Sequence, residues 1–418
     1  MQYRCVKCGR VLNHLDDFTC RCGGIFEVNQ IFPDISLELF DNRIGTLSPP
    51  YKSGVWRYKE LVHPEISIDQ IETRPEGNTN IYYRNLVSNF SGIEDISLKH
   101  EGENPTGSFK DRGMTVAISE AKRSGVEKVA CASTGNTSAS MAAYAAQAGL
   151  KGVVFIPSGM ITYGKLSQAL AYGARVIQVK GNFDDAMHMI REWSKELGLY
   201  VLNSLNPWRI EGQKSIIFEL LQQRCWEPPE WVSVPAGNLG NTSAFGKALR
   251  ELCELDLIDY IPKIISVQAE GANPFYNLWR EGKNNMSSVK PDTIASAIKI
   301  GDPVSWRKAL GSIRYTDGLV EQVSDAEIMN AKAIIDRCGI GCEPASAASL
   351  AGVKKLRNSG VIDRDDSVVC ILTGNILKDP ENTVNYHMEE LGFIAEYTNK
   401  PIKIEPEYEE VRKAIETK

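Results

Sequence analysis

From about residue 100 onward, the chain alternates short apolar or β-branched segments with longer amphipathic ones, and small polar loops separate them. Segments typical of buried strands lie at residues 126–132, 152–156, 175–179, 231–234, 264–268 and 367–372. Helical spacing of apolar residues occurs in the set Met114, Ala117, Ile118 and Ala121. A second helix is predicted over 325–338, where Ser324 and Glu327 have the spacing of a capping box. Such alternation predicts an α/β fold with parallel sheets covered on both faces.

Length, composition and charge narrow the class of protein. The 418 residues suffice for two or three domains, and 43% hydrophobic with 24% charged residues is ordinary for a globular protein. A net charge of -6 gives no reason to expect nucleic acid or an anionic membrane as partner. No apolar run is long enough to span a membrane, and residues 1–10 lack the apolar segment of a secretory signal. A cytoplasmic location is therefore expected.

Three loops that directly follow predicted strands are rich in small residues and asparagine. They lie at residues 133–138, 236–243 and 373–375. In α/β proteins, ligands bind outside the carboxyl ends of the strands. We therefore expect the three loops to lie at one sheet edge and to form one composite site.

The glycine-rich part of the second loop comprises Gly237, Asn238, Leu239, Gly240 and Asn241. Glycines let the backbone approach an anion, and the unpaired N–H groups of a following helix favour a phosphate. The alternative is an ordinary glycine-rich connection between a strand and a helix. The G-x-G-x-x-G pattern of dinucleotide-binding enzymes is absent, which argues against a nicotinamide enzyme.

The segment around Lys110 carries the clearest chemical signal. Turn-forming residues precede it, and Ser108 with Asp111 has the spacing of a capping box, which predicts that Lys110 lies in the first turn of a helix. The positive end of the helix dipole disfavours an ammonium group there. A lysine with a lowered pKa can form an imine with an aldehyde cofactor. The alternative is a solvated surface lysine, as most lysines are.

Five segments together resemble the threonine synthase family of fold-type II pyridoxal-phosphate enzymes. They are NPTGSFKDRG (104–113), STGNTSAS (133–140), GNLGN (237–241), EPASAAS (343–349) and LTGN (372–375). The resemblance implies two α/β domains with parallel or mixed sheets and the cofactor, pyridoxal 5'-phosphate, in the cleft between them. It implies a large cofactor-binding domain at 31–124 and 206–418, a small substrate-closing domain at 125–205 and a homodimer.

The resemblance also implies roles for individual residues. Lys110 would form the imine with the cofactor and then act as the proton-transfer base. Asn136 would hydrogen-bond the ring hydroxyl of the cofactor, and Thr373 would face its ring nitrogen. The loop Gly237, Asn238, Leu239, Gly240 and Asn241 would hold its phosphate through backbone N–H groups.

The family's reaction is a carbon–oxygen lyase reaction that converts O-phospho-L-homoserine and water to L-threonine and phosphate. By resemblance, the substrate phosphate would be bound by Ser133, Thr137, Ser204 and Arg209. An arginine offers phosphate a planar pair of donors, whereas the alternative for Arg209 is a surface ion pair.

Two other activities stay open on the same fold. A cysteate synthase would use O-phosphoserine and sulfite, and a dehydratase would convert threonine or serine to an oxo acid. Candidate groups for a second phosphate, Arg209 and Ser204, favour a phosphorylated substrate. A catalytically silent relative is disfavoured because Lys110, Asn136 and Thr373 are all present.

Four of the ten cysteines cluster in residues 1–30, which we predict to be a small zinc-ribbon-like module. Cys5, Cys8, Cys20 and Cys22 could supply four thiolates to a structural zinc ion. The second pair has only one intervening residue, which is shorter than usual for zinc ribbons. The other cysteines are scattered among apolar residues, as is typical of buried thiols.

Overall fold

The computed structural model describes residues 1–15, 17–158, 163–181, 185, 189–190 and 192–416, with the backbone alone for 163–165. The strands are β1 (Gln2–Cys5), β2 (Val11–Leu12), β3 (Phe26–Asn29), β4 (Ile81–Tyr83), β5 (Ile96–His100), β6 (Lys128–Ala132), β7 (Lys151–Pro157), β8 (Arg175–Val179), β9 (Leu199–Val201), β10 (Trp231–Pro235), β11 (Lys263–Ala269), β12 (Leu319–Val323) and β13 (Val368–Leu372).

The helices between them are Leu37–Asp41, Lys59–Val62, Asn85–Ser91, Lys110–Arg123, Asn136–Gln147, Tyr163–Ala171, Pro207–Gln213, Ser215–Gln223, Gly240–Glu254, Pro274–Arg280, Trp306–Tyr315, Asp325–Arg337, Pro344–Asn358, Pro380–His387 and Tyr408–Glu416. A membrane-crossing helix would need greater length and more apolar character than any helix in the described part of the chain has.

The largest sheet contains six strands in the order β12–β11–β10–β13–β5–β4. Its neighbours run parallel except at one edge, where β4 is antiparallel to β5. The central strands β10 and β13 are buried along their whole length, as expected when helices cover both faces of a sheet. The predicted α/β fold is therefore confirmed.

A second sheet contains four parallel strands in the order β8–β7–β6–β9. All four lie within residues 125–205, whereas the strands of the six-stranded sheet lie within 31–124 and 206–418. The two sheets thus follow the ranges predicted for the two domains. The domain limits themselves, and the closing movement of the smaller unit, stay predictions.

All six predicted strands form, with ends that differ by no more than two residues from the prediction. The sequence pattern missed β4, β5, β9 and β12. The most central of these, β5, contains the fully buried Lys99. Its burial is tolerated because its ammonium group lies 2.7 Å from Oε1 of Glu219. A charged residue inside a buried strand breaks the apolar pattern that identifies one. The capping box of Ser324 and Glu327 forms as predicted.

A network of buried ion pairs supports the helix that begins at Lys110. Nε of Arg112 lies 2.6 Å from Oε2 of Glu101, and its Nη2 lies 2.7 Å from Oε1 of Glu219. Lys99 bonds to the same Glu219. All four side chains are inaccessible to solvent. The network joins β5 to the helices Lys110–Arg123 and Ser215–Gln223. It therefore anchors the N-terminal turn of the helix that begins at Lys110.

The N-terminal module is a three-stranded antiparallel sheet in the order β2–β1–β3. It packs against residues that belong to each of the two larger parts of the chain. The ring of Tyr3 meets Trp208 edge-on at 6.2 Å, and the ring of Phe18 meets Tyr200 at 5.2 Å. Trp208 belongs to the helix Pro207–Gln213, whereas Tyr200 belongs to β9 of the four-stranded sheet. The module therefore bridges the two larger parts of the chain.

Candidate active site

One cavity of about 1630 Å³ lies between the four-stranded and six-stranded sheets. The loop 133–138 reaches it from β6, whereas the loops that follow β10 and β13 reach it from the other sheet. The prediction that one sheet edge carries all three loops is therefore wrong. The chain leaves the large sheet after β5, builds the second sheet and returns at β10, so the loops face one another across the cavity. The prediction that they assemble around one site is confirmed.

Lys110 is the first residue of its helix, as predicted, but the predicted capping box is wrong. Phe109 occupies the capping position, and Oγ of Ser108 is buried without a hydrogen-bond partner. The carboxylate of Asp111 instead accepts hydrogen bonds from the N–H and hydroxyl groups of Thr106, each at 2.6 Å. The carboxylate that a capping box would need is therefore hydrogen-bonded to the turn before the helix.

The Lys110 loop is fastened to the loop that follows β13. Ser108 and Gly374 form an isolated antiparallel bridge, and the N–H of Phe109 donates to the carbonyl of Thr373 at 3.0 Å. The N–H of Asn375 donates to the carbonyl of Gly107 at 2.9 Å. These backbone bonds fix the distance between Lys110 and Thr373 without using either side chain.

The environment of Lys110 lowers the pKa of its ammonium group to about 7. Burial is the main cause, the positive charge of Arg209 adds to it, and the negative charge of Glu343 opposes it. Near neutral pH, a large fraction of this amine is therefore unprotonated. An unprotonated amine is the form that attacks an aldehyde and accepts a proton from carbon.

The loop from Gly237 to Asn241 presents backbone donors to the cavity. Within the described residues, none of its five N–H groups donates to a backbone or side-chain acceptor. Leu239 adopts the left-handed conformation (φ 64°, ψ 18°) immediately before the helix Gly240–Glu254. A Cβ at Gly237 would lie 3.1 Å from the carbonyl oxygen of Ala297, so a larger residue crowds this wall. Free N–H groups at a helix N-terminus suit a phosphate.

Asn136 and Thr373 reach the cavity from opposite sheets and contact the same carboxylate. Nδ2 of Asn136 donates to the carboxylate oxygens of Glu343 at 3.0 and 3.3 Å, and the hydroxyl of Thr373 lies 3.4 Å from Oε1. Thr373 also lies 3.1 Å from the hydroxyl of Ser346. The resemblance covered the segment of Glu343 but assigned this residue no role.

Arg209 is a buried cation that has no carboxylate partner in the part of the chain that the structure describes. Its side chain belongs to the helix Pro207–Gln213 and lines the cavity with only 3% of the residue exposed. Nη1 donates to the carbonyl of Leu202 at 3.2 Å, and Nε has no partner within the described residues. Burial lowers the pKa of Arg209 to about 10. The remaining predicted substrate contacts, Ser133, Thr137 and Ser204, line the same cavity.

Comparison with known proteins identifies the family. Residues 72–374 match the model of the family described as pyridoxal-phosphate dependent enzyme. The chain is 45% identical to a threonine synthase of Methanocaldococcus jannaschii over 97% of both chains. It is 42% identical to one of Methanosarcina acetivorans over 91% of this chain and 93% of that one.

The chain belongs to the threonine synthase family. Its fold also matches that of a threonine synthase from Escherichia coli, with a TM-score of 0.69 and 17% identity over 99% of each chain. A threonine deaminase from Solanum lycopersicum matches with a TM-score of 0.65 and 20% identity, over 76% of this chain and 89% of that one. At such identities the structural matches bear on the fold alone.

This member of the threonine synthase family has cavity residues that the sequence did not single out. The side-chain amide of Asn203 exchanges two hydrogen bonds with the backbone of Ala132, at 2.9 and 3.0 Å, and so positions the end of β6. The ammonium group of Lys378 bonds to Gln168, which joins the two sides of the cavity. No local pattern marks these residues, because each partner comes from a distant segment.

The four N-terminal cysteines of this family member converge in the structure. Their sulfur atoms all lie within 4.8 Å of one another, with Cys5 and Cys22 at 3.5 Å and Cys8 and Cys20 at 3.8 Å. A Cβ at Gly24 would lie 2.8 Å from the sulfur of Cys5, so a glycine there makes room for the cluster. Tetrahedral zinc with bonds of about 2.3 Å separates its sulfur ligands by roughly 3.8 Å. The cluster therefore has the size of a zinc site.

Proposed function

We propose that this chain is a pyridoxal-phosphate-dependent threonine synthase that converts O-phospho-L-homoserine and water to L-threonine and phosphate. The proposal rests on the guanidinium of Arg209, which is buried beside Lys110 and has no carboxylate partner among the described residues. An unpaired buried charge is costly unless a ligand neutralises it, and a phosphate ester is the anion that this fork of donors fits. The family relationship supports the same substrate class.

The residues of the cavity fit the cofactor. The five backbone N–H groups from Gly237 to Asn241, which have no partner among the described residues, would hold the phosphate of the cofactor. Nζ of Lys110 would hold the cofactor covalently. Asn136 would bond its ring hydroxyl, and Thr373 would face its ring nitrogen, where a neutral hydroxyl does not impose a positive charge. When bound, the cofactor withdraws electrons from the substrate and makes its carbon-bound protons acidic.

The reaction requires several proton movements beside the bound phosphate. Protons leave the α- and β-carbons and return to the α- and γ-carbons, phosphate leaves the γ-carbon, and the hydroxyl of water joins the β-carbon. Nζ of Lys110 suits proton transfer because its pKa of about 7 lets it gain and lose a proton readily. Arg209, Ser133, Thr137 and Ser204 would hold the departing phosphate.

The small unit at residues 125–205 is proposed to close over the substrate and to exclude stray water. Asn136 and Gln168 already reach across the cavity to Glu343 and Lys378. Solution X-ray scattering with and without a substrate analogue tests this closure. An unchanged scattering profile at saturating analogue would contradict it.

The proposed activity is tested by measuring phosphate release from O-phospho-L-homoserine and identifying the amino acid formed. Equal amounts of phosphate and threonine are expected. Oxo acid from unphosphorylated threonine or serine would instead identify a dehydratase. Turnover of O-phosphoserine with sulfite would identify a cysteate synthase.

A structural zinc ion is proposed for Cys5, Cys8, Cys20 and Cys22. The spacing of the sulfur atoms supports it, and the cluster lies in the N-terminal module rather than in the cavity. Metal analysis of protein purified without chelator should find one zinc per chain. Replacement of Cys5 by Ser should abolish that stoichiometry. Cysteine thiols that titrate fully in the native chain would count against a bound metal.

A cytoplasmic homodimer remains the proposal for the assembly and location of the protein. It rests on the resemblance of this chain to the threonine synthase family. Light scattering on the purified protein tests the dimer, because a single species of about twice 46.3 kDa is expected.

A further inference from the structure

Glu343 lies where the two predicted cofactor-ring contacts meet. It is the residue that precedes the helix Pro344–Asn358, and only 4% of it is exposed. Its carboxylate accepts hydrogen bonds from Asn136 of one side of the cavity and from Thr373 of the other. One buried carboxylate thus links the side chain expected at the ring hydroxyl to the side chain expected at the ring nitrogen.

The charges around the cavity make this carboxylate unusual. Of the acidic residues described along the cavity wall, Glu103, Asp302 and Glu343, only Glu343 is buried. The cationic groups along the wall outnumber them: Lys110, Arg209, Lys290, Lys299 and Lys378. Burial raises the pKa of Glu343, while its bond from Asn136 and the charges of Lys378 and Lys110 oppose the rise.

The backbone beside Glu343 is built around its carboxylate. The N–H of Glu343 donates to the carbonyl of Gly374 at 3.0 Å. A Cβ at Gly374 would overlap the carboxylate oxygens of Glu343, so this position accommodates only glycine while the carboxylate keeps its place. The same Gly374 pairs with Ser108 in the loop that carries Lys110. The position of the carboxylate is therefore fixed by the loops that form the site.

We propose that Glu343 is a positioning residue for the cofactor: it holds Asn136 and Thr373 in place for the ring and supplies the buried negative charge that balances Lys110. The proposal rests on the proposed cofactor, and it adds a residue that acts through its neighbours. A carboxylate suits this place because its oxygens accept from both Asn136 and Thr373. A glutamine in its place would present an NH₂ group to the NH₂ group of Asn136 or to the hydroxyl of Thr373.

The first test compares E343Q with the unaltered chain by titrating pyridoxal phosphate into cofactor-free protein. Loss of a hydrogen bond to a charged group weakens binding by about tenfold or more, so the dissociation constant should rise by that factor. The visible absorption maximum of the bound cofactor, and the pH at which it changes, should also shift. E343D keeps the charge and should restore the absorption maximum more than E343Q does. E103Q, at an exposed carboxylate of the same cavity, is the matched control and should leave both readouts unchanged.

A double-mutant cycle separates positioning from a general effect on folding. If Glu343 acts through Asn136, the effect of E343Q on cofactor affinity should largely disappear in a chain that already carries N136A. If E343Q weakens cofactor binding equally in the unaltered chain and in N136A, Glu343 does not act through Asn136. Unchanged affinity and absorption in E343Q, with a normal unaltered chain, would overturn the proposal itself. An unaltered chain that binds no cofactor would instead contradict the proposed function.

T373V provides a second variant should E343Q not fold. It removes the hydroxyl that bonds to Oε1 of Glu343 but keeps the carboxylate. Positioning by Glu343 predicts that T373V and N136A each weaken cofactor binding and that their combination weakens it by less than the product of the two. If the increases in the dissociation constant multiply fully in the double variant, the two residues do not act through a shared carboxylate.

Discussion

Two buried arginines on neighbouring helices have opposite surroundings. Arg112 is fully buried, and its guanidinium bonds to the carboxylates of Glu101 and Glu219. Burial acts to lower its pKa, but the two carboxylates outweigh burial and hold the pKa above its usual value. Arg209 is buried almost as completely, has no carboxylate partner in the described chain, and has a lowered pKa.

The difference between the two arginines distinguishes buried charges that stabilise the fold from buried charges that can bind a ligand. A buried charge whose partners are protein groups is already neutralised, and removing it leaves those partners unpaired. A buried charge without such partners makes the empty site less stable and favours the binding of an anion. Arg209 belongs to the second class, and the nearby Lys110 faces the same cavity with the charge of Glu343 only partly offsetting the effect of its burial.

The largest effect is expected from Arg112→Gln. It leaves Glu219 with Lys99 as its ion-pair partner and Glu101 with none in the described chain, and breaking a buried pair costs about 3–5 kcal/mol of the free energy of unfolding. Urea unfolding of the cofactor-free chain measures this cost. Arg112→Lys keeps the charge and should lose less. A loss for Arg112→Gln no larger than that of an exposed pair would remove the contrast with Arg209.

Arg209→Gln should give the converse result. The value of kcat/KM for O-phospho-L-homoserine should fall about 100-fold, because charged hydrogen bonds to phosphate contribute roughly 1.5–3 kcal/mol. The unfolding free energy of the cofactor-free chain should stay the same or increase, since no carboxylate is left unpaired. Arg209→Lys keeps the charge and should recover part of the activity. Lost stability with an unchanged KM would place Arg209 among the structural charges.

The pH dependence of stability should reveal the lowered pKa of Lys110. Its folded pKa is about 7, whereas an unfolded lysine has a pKa of about 10.4. Between these values, the unfolded chain binds a proton that the folded chain lacks, so raising the pH stabilises the folded chain. The unfolding free energy relative to Lys110→Met should rise by up to about 1.4 kcal/mol per pH unit in this window. Below about pH 7 the difference should level off at its lowest value, and a difference independent of pH would contradict the lowered pKa.

The smallest effect is expected at an exposed ion pair. Nη2 of Arg364 lies 2.6 Å from Oε1 of Glu94, and both side chains are largely exposed. Arg364→Ala should change the unfolding free energy by no more than about 0.5 kcal/mol, because solvent screens the pair. The same urea measurement provides the baseline for the Arg112 and Arg209 variants. A change of several kcal/mol there would show that pairing, rather than burial, sets the cost.

The sequence was most informative where the site is built from contiguous residues. The turn that ends in Lys110 and the loop from Gly237 to Asn241 each concentrate turn-forming residues at a helix start, and such local signals do not depend on the rest of the fold. Six of the ten strands in the two larger sheets were predicted for the same reason. The roles of the predicted site residues stay predictions until the variants are measured.

The predicted capping box failed through a local contact, because Asp111 bonds to Thr106, but other contacts were missed because the partners are distant along the chain. The carboxylate of Glu343 meets Asn136 across 207 positions, which no local pattern encodes. Strand β5 was missed because Lys99 is neutralised by Glu219, 120 positions away. The alternation of strands and helices also does not say which sheet a strand joins, so the loop at Asn136 was assigned to the wrong sheet edge.

The N-terminal module accepts hydrogen bonds from two lysines that lie outside it. The ammonium group of Lys247 donates to the carbonyl of Val28, and that of Lys308 donates to the carbonyl of Phe26. Both lysines lie in the body, outside the module, and β3 supplies the acceptors. A chain shortened to begin at residue 31 would remove both acceptors and expose the core beneath the module, while Lys247 would keep its ion pair with Glu211. Deletion of the module at this boundary therefore cuts through a packed interior rather than through a linker.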